Sequence, residues 1–232
     1  AGGSAMRIRV SVAGQVGTSS DAGLSYPRPS ISGVSTATDP VIPDTPTTLT
    51  ITGSNFGPSG SSFIGEVRYG VSYIVTSSCI VAVTNTEIRC STVLGVGFGL
   101  RVSLSLGAAS SIGTTTVTSS SSATVRYARP IITDVVGTLS TSSSTTVRIE
   151  GDHFGPASVV GDGVVTARFG KTPTVNGVQM ENSCRVVTNT RVECASIAAA
   201  GGTAMKFAVT VAGQESQASS VTLSYPRPSI SG

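Results

Sequence analysis

The chain begins and ends with nearly the same sequence. Residues 1–33 read AGGSAMRIRVSVAGQVGTSSDAGLSYPRPSISG and residues 200–232 read AGGTAMKFAVTVAGQESQASSVTLSYPRPSISG, so that they align without a gap at an offset of 199 and share 21 of 33 positions. A repeat this close constrains the fold more than composition does, because equivalent segments form equivalent structural units. A Tyr-x-x-Pro step starts at Tyr26, Tyr127 and Tyr225, at spacings of 101 and 98 residues. The sequence therefore predicts part of an array in which two types of domain, each of about 100 residues, alternate.

Interior segments repeat with the same order. Residues 53–58 (GSNFGP) return as 151–156 (GDHFGP), and residues 83–90 (VTNTEIRC) return as 187–194 (VTNTRVEC). The predicted domains are residues 1–27 as the C-terminal strands of a preceding domain, 28–127 as domain A, 128–227 as domain B, and 228–232 as the start of the next. The junction residues that mark these boundaries are Tyr26, Pro27, Pro29, Tyr127, Pro130, Tyr225, Pro226 and Pro228. Proline holds the chain extended at each junction, so we expect successive domains to be joined stiffly.

Composition indicates a globular chain with no strongly charged partner. Apolar residues make up 39% of the chain and charged residues 12%, which is enough to form two modest cores. The net charge of +3 comes from Arg and Lys residues that are spaced singly. Nucleic-acid binding needs a clustered basic surface, so it is not expected. No apolar run approaches the roughly 18 residues of a membrane span, so none is expected in this segment.

The four cysteines form two matched pairs, Cys79 with Cys90 and Cys184 with Cys194. One pair at the same place in each domain predicts one disulfide per domain, and with it an extracellular or cell-surface location. The alternative is four reduced thiols in the two cores. Because the partners are only about ten residues apart, a bridge between distant strands across the core, as in antibody domains, is excluded. Zinc is not expected, since no CxxC motif occurs and the single histidine, His153, lies far from any close pair.

Short alternating strands separated by turns fill most of the chain. Residues 98–106 give the clearest strand, with Phe98, Leu100, Val102, Leu104 and Leu106 on one face. Two further rows are equivalent under the 199-residue offset: Met6, Ile8, Val10 and Val12, and Met205, Phe207, Val209 and Val211. No amphipathic helix is evident. About seven strands per 100 residues predict an all-β chain of tandem immunoglobulin-like sandwiches.

The two strands expected at the N-terminus are too few to form a domain by themselves. Residues 1–14 and 16–26 predict one hairpin, and two strands alone are marginally stable in water. We therefore expect residues 1–27 to belong to a domain completed by residues outside this numbering or supplied by another copy. Strand donation between separate subunits is an alternative, although residues 204–225 already provide closing strands for domain B.

At this point the residues resemble a known family. The series Pro-x-Ile, Thr-x-Thr-Ile-x-Gly-x-Asn-Phe-Gly, Cys, Thr-x-Ile-x-Cys and Tyr-x-x-Pro is similar to the IPT/TIG domain, the immunoglobulin-like domain of plexins and certain transcription factors. Domain A carries it at Pro29, Ile31, 49–56, Cys79, 87–90 and Tyr127. Domain B carries it at Pro130, Ile132, 147–154, Cys184, 191–194 and Tyr225. The resemblance implies a fold but not an activity, because this fold serves receptors, adhesins, enzyme appendages and DNA-binding factors. His153 stands where domain A has Asn55, in a turn where we expect the change to be harmless.

No residue pattern predicts catalysis, a metal or a cofactor. A Ser-His-Asp or Cys-His site would have to include His153, whose counterpart Asn55 argues for a turn role. Acidic residues are scattered, so calcium sites at the junctions are not expected. The segment GVGFG at residues 95–99 precedes a strand and lacks the Lys-Ser/Thr end of a phosphate loop, so it predicts a turn.

Serine and threonine account for 67 of the 232 residues and offer sites for O-linked sugars. The candidates are Thr114, Thr115, Thr116, Thr118, Ser119, Ser120, Ser121, Ser122, Ser140, Thr141, Ser142, Ser143 and Ser144. Plain solvent-facing strand and loop residues explain these tracts equally well. No Asn-x-Ser/Thr sequence occurs, so N-glycosylation is not expected unless the variant sequence Asn182-Ser183-Cys184 is used.

Three functions remain open. The first is a structural segment of an extracellular filament or surface appendage, whose partner is another copy of itself or a longer array. The second is the stalk of a receptor or adhesin ectodomain, and the third a non-catalytic appendage of a secreted enzyme. The near-exact period favours the filament, because a lattice needs equivalent surfaces at regular spacing.

Overall fold

The chain forms two compact units. The computed structural model describes residues 8–18, 27–60, 64–107, 117–158, 164–180, 184–197 and 201–230, with the backbone alone at 117–119, 179–180 and 196–197. Unit 1 comprises Ala1–Asp39, Thr47–Val93 and Gly99–Val125, and unit 2 comprises Pro40–Pro46, Leu94–Phe98 and Arg126–Gly232. Two loops that the sequence places inside domain A, Pro40–Pro46 and Leu94–Phe98, therefore belong to unit 2.

Nearly all regular structure in the described residues is β-strand. The strands are β1 Arg9–Val12, β2 Gln15–Thr18, β3 Ser30–Thr36, β4 Thr48–Ser54, β5 Ile64–Tyr69, β6 Tyr73–Ile74, β7 Ile80–Val83, β8 Glu87–Ser91, β9 Leu100–Leu106, β10 Val117–Val125, β11 Ile131–Gly137, β12 Thr145–Asp152, β13 Val165–Gly170, β14 Val178–Met180, β15 Cys184–Thr188, β16 Arg191–Ile197, β17 Lys206–Val211 and β18 Gln214–Glu215. The helical content is a 3₁₀ turn at Thr76–Ser78 and one α-helical turn, α1, at Pro173–Asn176. Proline at the first position of α1 fits there because a first-turn N–H has no helical partner.

Each unit contains two antiparallel four-stranded sheets with the same strand order. In unit 1 the orders are β3-β4-β8-β7 and β10-β9-β5-β6. In unit 2 they are β11-β12-β16-β15 and β14-β13-β17-β18. When strands β3–β10 of unit 1 and strands β11–β18 of unit 2 are each numbered 1 to 8 in chain order, the two sheets have the strand orders 1-2-6-5 and 8-7-3-4 in both units. This is the arrangement of immunoglobulin-like sandwiches, in which the first, second, fourth and fifth strands of the basic seven share one sheet. The predicted all-β, immunoglobulin-like fold is confirmed.

The alternating residues of the strands form the cores. Leu49 and Ile51 are fully buried in unit 1, as expected from their positions in β4. Phe207, Val209 and Val211 are buried in unit 2, which confirms the inward row of β17.

The row expected at residues 98–106 is wrong at its first member. Val102, Leu104 and Leu106 are buried on β9, but Phe98 is 59% exposed and precedes the strand. Gly97 and Gly99 adopt φ angles of 111° and 64°. These left-handed conformations, which glycine adopts without strain, prevent the strand from extending back to Phe98.

The N-terminal hairpin stands as a separate two-stranded sheet. Strands β1 and β2 pair from Arg9 with Thr18 to Val12 with Gln15. Both strands are exposed on both faces, whereas the sequence predicts a half-buried strand. Met6, the first member of its expected inward row, lies outside the described residues.

Candidate functional site

The segment that enters domain B is fixed by backbone contacts within unit 2. Tyr127 is buried, and its N–H donates to the Gly97 carbonyl at 2.8 Å. Val41 forms a parallel bridge with Tyr127 and hydrogen-bonds on both sides of it, donating to Arg126 O (3.0 Å) and accepting from Ala128 N (2.8 Å). The junction tyrosine is therefore held by the loops Pro40–Pro46 and Leu94–Phe98. No sequence signal identifies these loops, because their prolines and glycines predict only turns.

Polar side chains tie the same segment to the β17–β18 hairpin. The Gln214 Nε2 donates to Tyr127 O at 3.1 Å, and the Arg129 Nε donates to Glu215 O at 2.6 Å. Pro130 is buried directly after Arg129. The two contacts fix the backbone on both sides of Ala128, so the last hairpin of unit 2 also positions the start of its first strand.

A turn residue holds the carbonyl that precedes the buried proline in each unit. In unit 1 the Asn55 Nδ2 donates to Arg28 O at 2.9 Å. In unit 2 the His153 Nδ1 lies 3.2 Å from Arg129 O, and this contact needs a proton on Nδ1 because a carbonyl only accepts. Asn55 and His153 have φ angles of 62° and 65°. The structure thus gives His153 the turn role of its counterpart.

The glycine and phenylalanine of the same motif have matching roles. A Cβ on Gly53 would lie 1.9 Å from Ser30 O, and one on Gly151 would lie 1.9 Å from Ile131 O. Only glycine permits this approach of the first strand to the second. Phe56 and Phe154 fill the adjacent core and are almost fully buried.

An asparagine in the turn between the fifth and sixth strands of each unit accepts a hydrogen bond from the glycine that follows this phenylalanine. The Asn85 Oδ1 accepts from Gly57 N at 3.0 Å, and the Asn189 Oδ1 accepts from Gly155 N at 2.9 Å. We call the turn, its glycine and this asparagine the junction clamp: Gly53, Asn55, Phe56 and Asn85 in unit 1, and Gly151, His153, Phe154 and Asn189 in unit 2.

The third tyrosine of the series is held in a similar way. Tyr225 is buried and its N–H donates to Gly202 O at 2.9 Å. Burial raises the pKa of the Tyr225 hydroxyl above its usual value of 10.0. Pro226 and Pro228, which follow it, are exposed. Pro27 is exposed and Pro29 buried, while Tyr26 lies outside the described residues.

A cleft of about 590 Å³ lies in unit 2 beside the clamp. It is lined by Pro40, Ala128, Arg129, Pro130, Ile131, Ile132, His153, Gln217, Ala218 and Ser220. His153 is the sole member of this lining that could act as a general base, and no carboxylate or cysteine is among these residues to form a catalytic pair with it. The lining offers van der Waals contacts, hydrogen-bonding groups and the positive charge of Arg129.

The cysteines form the two bridges Cys79–Cys90 and Cys184–Cys194. In unit 2 the bridge joins directly opposed residues of β15 and β16. In unit 1 it joins the residue before β7 to β8. Each bridge therefore links neighbouring strands of one sheet, and it indicates a secreted or surface location.

Several charged side chains on the sheets of unit 2 form ion pairs. Arg148 and Arg191 both contact Glu150 Oε1, at 2.7 and 3.2 Å, and Arg185 contacts Glu193 Oε2 at 2.8 Å. Exposed pairs like these contribute about 0–1 kcal/mol each. Because Arg148 and Arg191 share one carboxylate, the pairs offset only part of the positive charge of the sheet surface.

The described residues contain neither a candidate membrane-spanning helix nor a candidate metal site. No helix among them is long and apolar enough to cross a membrane. No group of three or more His, Cys, Asp or Glu side chains among them could hold a metal ion.

The candidate O-glycosylation residues differ in accessibility. Ser120, Ser122 and residues 141–144 are exposed, and Ser140 is partly buried. Ser121 is buried, and its Oγ accepts a hydrogen bond from Ala123 N at 2.9 Å, which leaves it inaccessible to a transferase. The side chains of Thr114, Thr115, Thr116, Thr118 and Ser119 lie outside the described part of the chain.

Comparison with known proteins gives a likeness to solved structures alone. No family model matches the chain, and no curated protein matches it. The full extracellular region of plexin A4 is 16% identical, with a TM-score of 0.35, over 85% of this chain and 18% of that one. SGBP-B from a xyloglucan utilization locus in Bacteroides uniformis is 22% identical, with a TM-score of 0.31, over 86% of this chain and 50% of that one. The BSP domain of a biofilm associated protein is 9% identical, with a TM-score of 0.28, over 87% of this chain and 30% of that one. The chain spans half or less of the length of each of these proteins.

Proposed function

We propose that this chain is a structural repeat segment of an extracellular filament or surface appendage and that it catalyses nothing. One observation carries the proposal: two units with the same strand order and the same junction clamp occur in a sequence that repeats after 199 residues. Equivalent domains present equivalent surfaces at regular spacing, which is what a periodic assembly requires.

The domains of this array are of the IPT/TIG type in our proposal. The clamp gives a physical reason for that motif, because its glycine, its left-handed turn residue and its phenylalanine each have a specific contact. The repeating domains are residues 28–127 and 128–227. Residues 1–27 are the closing strands of a preceding domain, and 228–232 begin the next.

The surface of the described residues fits assembly from like copies. The disulfides favour an extracellular or cell-surface location. A net charge of only +3 over 232 residues repels a neighbouring copy weakly, and ion pairs such as Arg185–Glu193 offset part of the local charge. The partner is therefore another copy or a longer array of the same domains, and covalent sugars at residues 141–144 would coat it.

Two other functions use the same features. A receptor or adhesin stalk, or a non-catalytic appendage of a secreted enzyme, also needs disulfide-bonded domains in tandem. Neither requires copies to associate, whereas a filament does.

Electron microscopy of the native material tests the filament. We expect long fibres whose axial repeat corresponds to two domains, and a reducing denaturing gel of the same material should show a chain longer than 232 residues or a polymer of it. Dispersed monomers in every buffer, with a chain that ends near residue 232, would contradict the proposal and favour a stalk or appendage.

A further inference from the structure

The N-terminal hairpin and the last hairpin of unit 2 have the same local structure. Under the 199-residue offset, β1 corresponds to the last four residues of β17, and the first two residues of β2 correspond to β18. Val12 pairs with Gln15 as Val211 pairs with Gln214, and Ser11 pairs with Val16 as Thr210 pairs with Glu215. The two-residue turns match as well: Ala13 and Gly14 have φ angles of 50° and 83°, and Ala212 and Gly213 have 46° and 78°.

Their surroundings differ completely. Phe207, Val209 and Val211 are 0%, 0% and 1% exposed in the core of unit 2. Their counterparts Ile8, Val10 and Val12 are 48%, 55% and 69% exposed. The same inward row is thus buried in one hairpin and uncovered in the other.

The free edge of β1 gives a second, independent observation. Strand β17 pairs with β18 on one side and with β13 on the other, where Val165 opposes Val211 and Ala167 opposes Val209. In the described residues β1 pairs with β2 and with no other strand. An unpaired edge next to an uncovered apolar face needs both a strand and a core to complete it.

We propose that the hairpin of residues 8–18 is the closing hairpin of a domain-B-type sandwich, and that its occupant is a segment like residues 128–199 on the same chain before residue 1. In that complex a strand equivalent to β13 pairs with β1, so that the counterpart of Val165 opposes Val12 and the counterpart of Ala167 opposes Val10. The core of that sandwich covers Ile8, Val10 and Val12.

One further contact identifies the occupant. Gln214 donates to the carbonyl of the junction tyrosine Tyr127, and its counterpart in the hairpin is Gln15, the same residue type at the same place in the turn. Gln15 therefore donates to the carbonyl of the tyrosine that directly precedes the occupant. A general apolar partner would need no such amide.

The hairpin of residues 8–18 differs from its counterpart in unit 2 at six positions: Ile8, Arg9, Ser11, Val16, Gly17 and Thr18 stand where unit 2 has Phe207, Ala208, Thr210, Glu215, Ser216 and Gln217. Position 9 is the one that puts a charge where unit 2 has a buried apolar residue. Ala208 is buried, whereas its counterpart is Arg9. The natural occupant must leave space for the Arg9 side chain. Unit 2 has Ala208 at this place, so a test that uses residues of unit 2 as the occupant needs the substitution Arg9→Ala. The inference rests on the repeat array proposed above.

The test joins residues 127–199 of this chain, which include the tyrosine whose carbonyl Gln15 is to contact, to the front of the full 232-residue chain carrying Arg9→Ala. Hydrogen exchange of the backbone amides at residues 9–12 should slow by about a hundredfold or more relative to the unextended Arg9→Ala chain and approach that of 208–211. The matched control carries Val10→Asp and Val12→Asp in addition and should lose that protection. A positive control replaces residues 1–26 of the extended chain by residues 200–225, the hairpin that unit 2 itself uses.

The hydrogen-exchange results distinguish an occupant on the same chain from the alternatives. If the positive control is protected and the hairpin of residues 8–18 is not, the inference is wrong. A different result in the unextended chain would be amide protection of residues 9–12 that rises with protein concentration while ultracentrifugation shows dimers. That result would contradict an occupant on the same chain, because a second copy would then be covering the hairpin. The filament is tested separately by microscopy, so a failure here leaves that result standing.

Discussion

At the residue scale, the repeated motif is explained by three kinds of position. A glycine permits backbone contact between the first two strands, a left-handed turn residue binds the carbonyl before proline, and a phenylalanine fills the core. Gly151, His153 and Phe154 illustrate them in unit 2. Because the glycine contacts backbone atoms, no change of side-chain rotamer can relieve a substitution there.

Gly151→Ala should destabilise unit 2 by about 3 kcal/mol, because its Cβ would overlap the Ile131 carbonyl. Gly201→Ala is the matched control, since a Cβ there meets nothing within 4 Å. Urea unfolding followed by circular dichroism measures both. Equal stability of the two variants would show that the first strand is not held against Gly151.

His153→Asn should leave stability within about 0.5 kcal/mol of wild type, because asparagine tolerates the left-handed conformation and Asn55 makes the same contact. His153→Val should lose about 1–2 kcal/mol, since a β-branched residue is strained at that φ. The same urea titrations apply. A loss in His153→Asn as large as in His153→Val would mean that the imidazole has a role the turn does not explain.

Tyr225→Phe should remove part of the alkaline sensitivity of unit 2. The pKa of Tyr225 is raised in the folded protein, so its contribution to stability is present below pH 10 and is lost as the pH rises through the folded value. Melting temperatures between pH 9 and 12 test this, and the readout is the slope above pH 10 rather than any constant offset. Parallel curves for variant and wild type would contradict it.

At the scale of elements, each disulfide joins the fifth and sixth strands of its unit, at the outer end of a four-stranded sheet. In the loop-entropy model a closed loop of about ten residues contributes on the order of 3 kcal/mol. Cys184→Ala with Cys194→Ala should therefore lower the stability of unit 2 by about that amount and leave unit 1 unchanged. Calorimetry of the double variant, with Cys79→Ala and Cys90→Ala as the counterpart for unit 1, resolves the two. A fall in both transitions from one double variant would contradict independent bridges.

Sequence patterns predict elements well where a strand has one buried face. The inward row of β4 follows from period-two alternation, and the turn at Asn85 follows from its residue type. The alternation also gives the inward row of β17, but it does not predict that Ala208 on the opposite face is buried. The alternation fails at Phe98 because the pattern of apolar residues does not show backbone conformation. Here Gly97 and Gly99 have positive φ angles, which end the extended conformation of the strand.

The contacts of the candidate site are harder to predict. The motif that contains Asn55 and His153 is visible as a repeat, but nothing in it names the carbonyl that each side chain binds. The bridge from Val41 to Tyr127 joins residues 86 positions apart, and Val41 sits between prolines that predict a loop. Long-range pairing of this kind depends on the folded unit and not on local pattern.

At the scale of the whole chain, the bridges have a mechanical consequence. They close loops of 11 and 10 residues, and the residues inside a loop cannot lengthen when a unit is pulled apart from its two ends. At about 3.4 Å per extended residue, each oxidised unit should give an unfolding step about 30 Å shorter than the reduced unit. Single-molecule force spectroscopy with and without a reductant measures this difference. Because the two loops are nearly equal, reduction should lengthen both steps by nearly the same amount, so the redox state of the surroundings would set the extensibility of the array uniformly along its length.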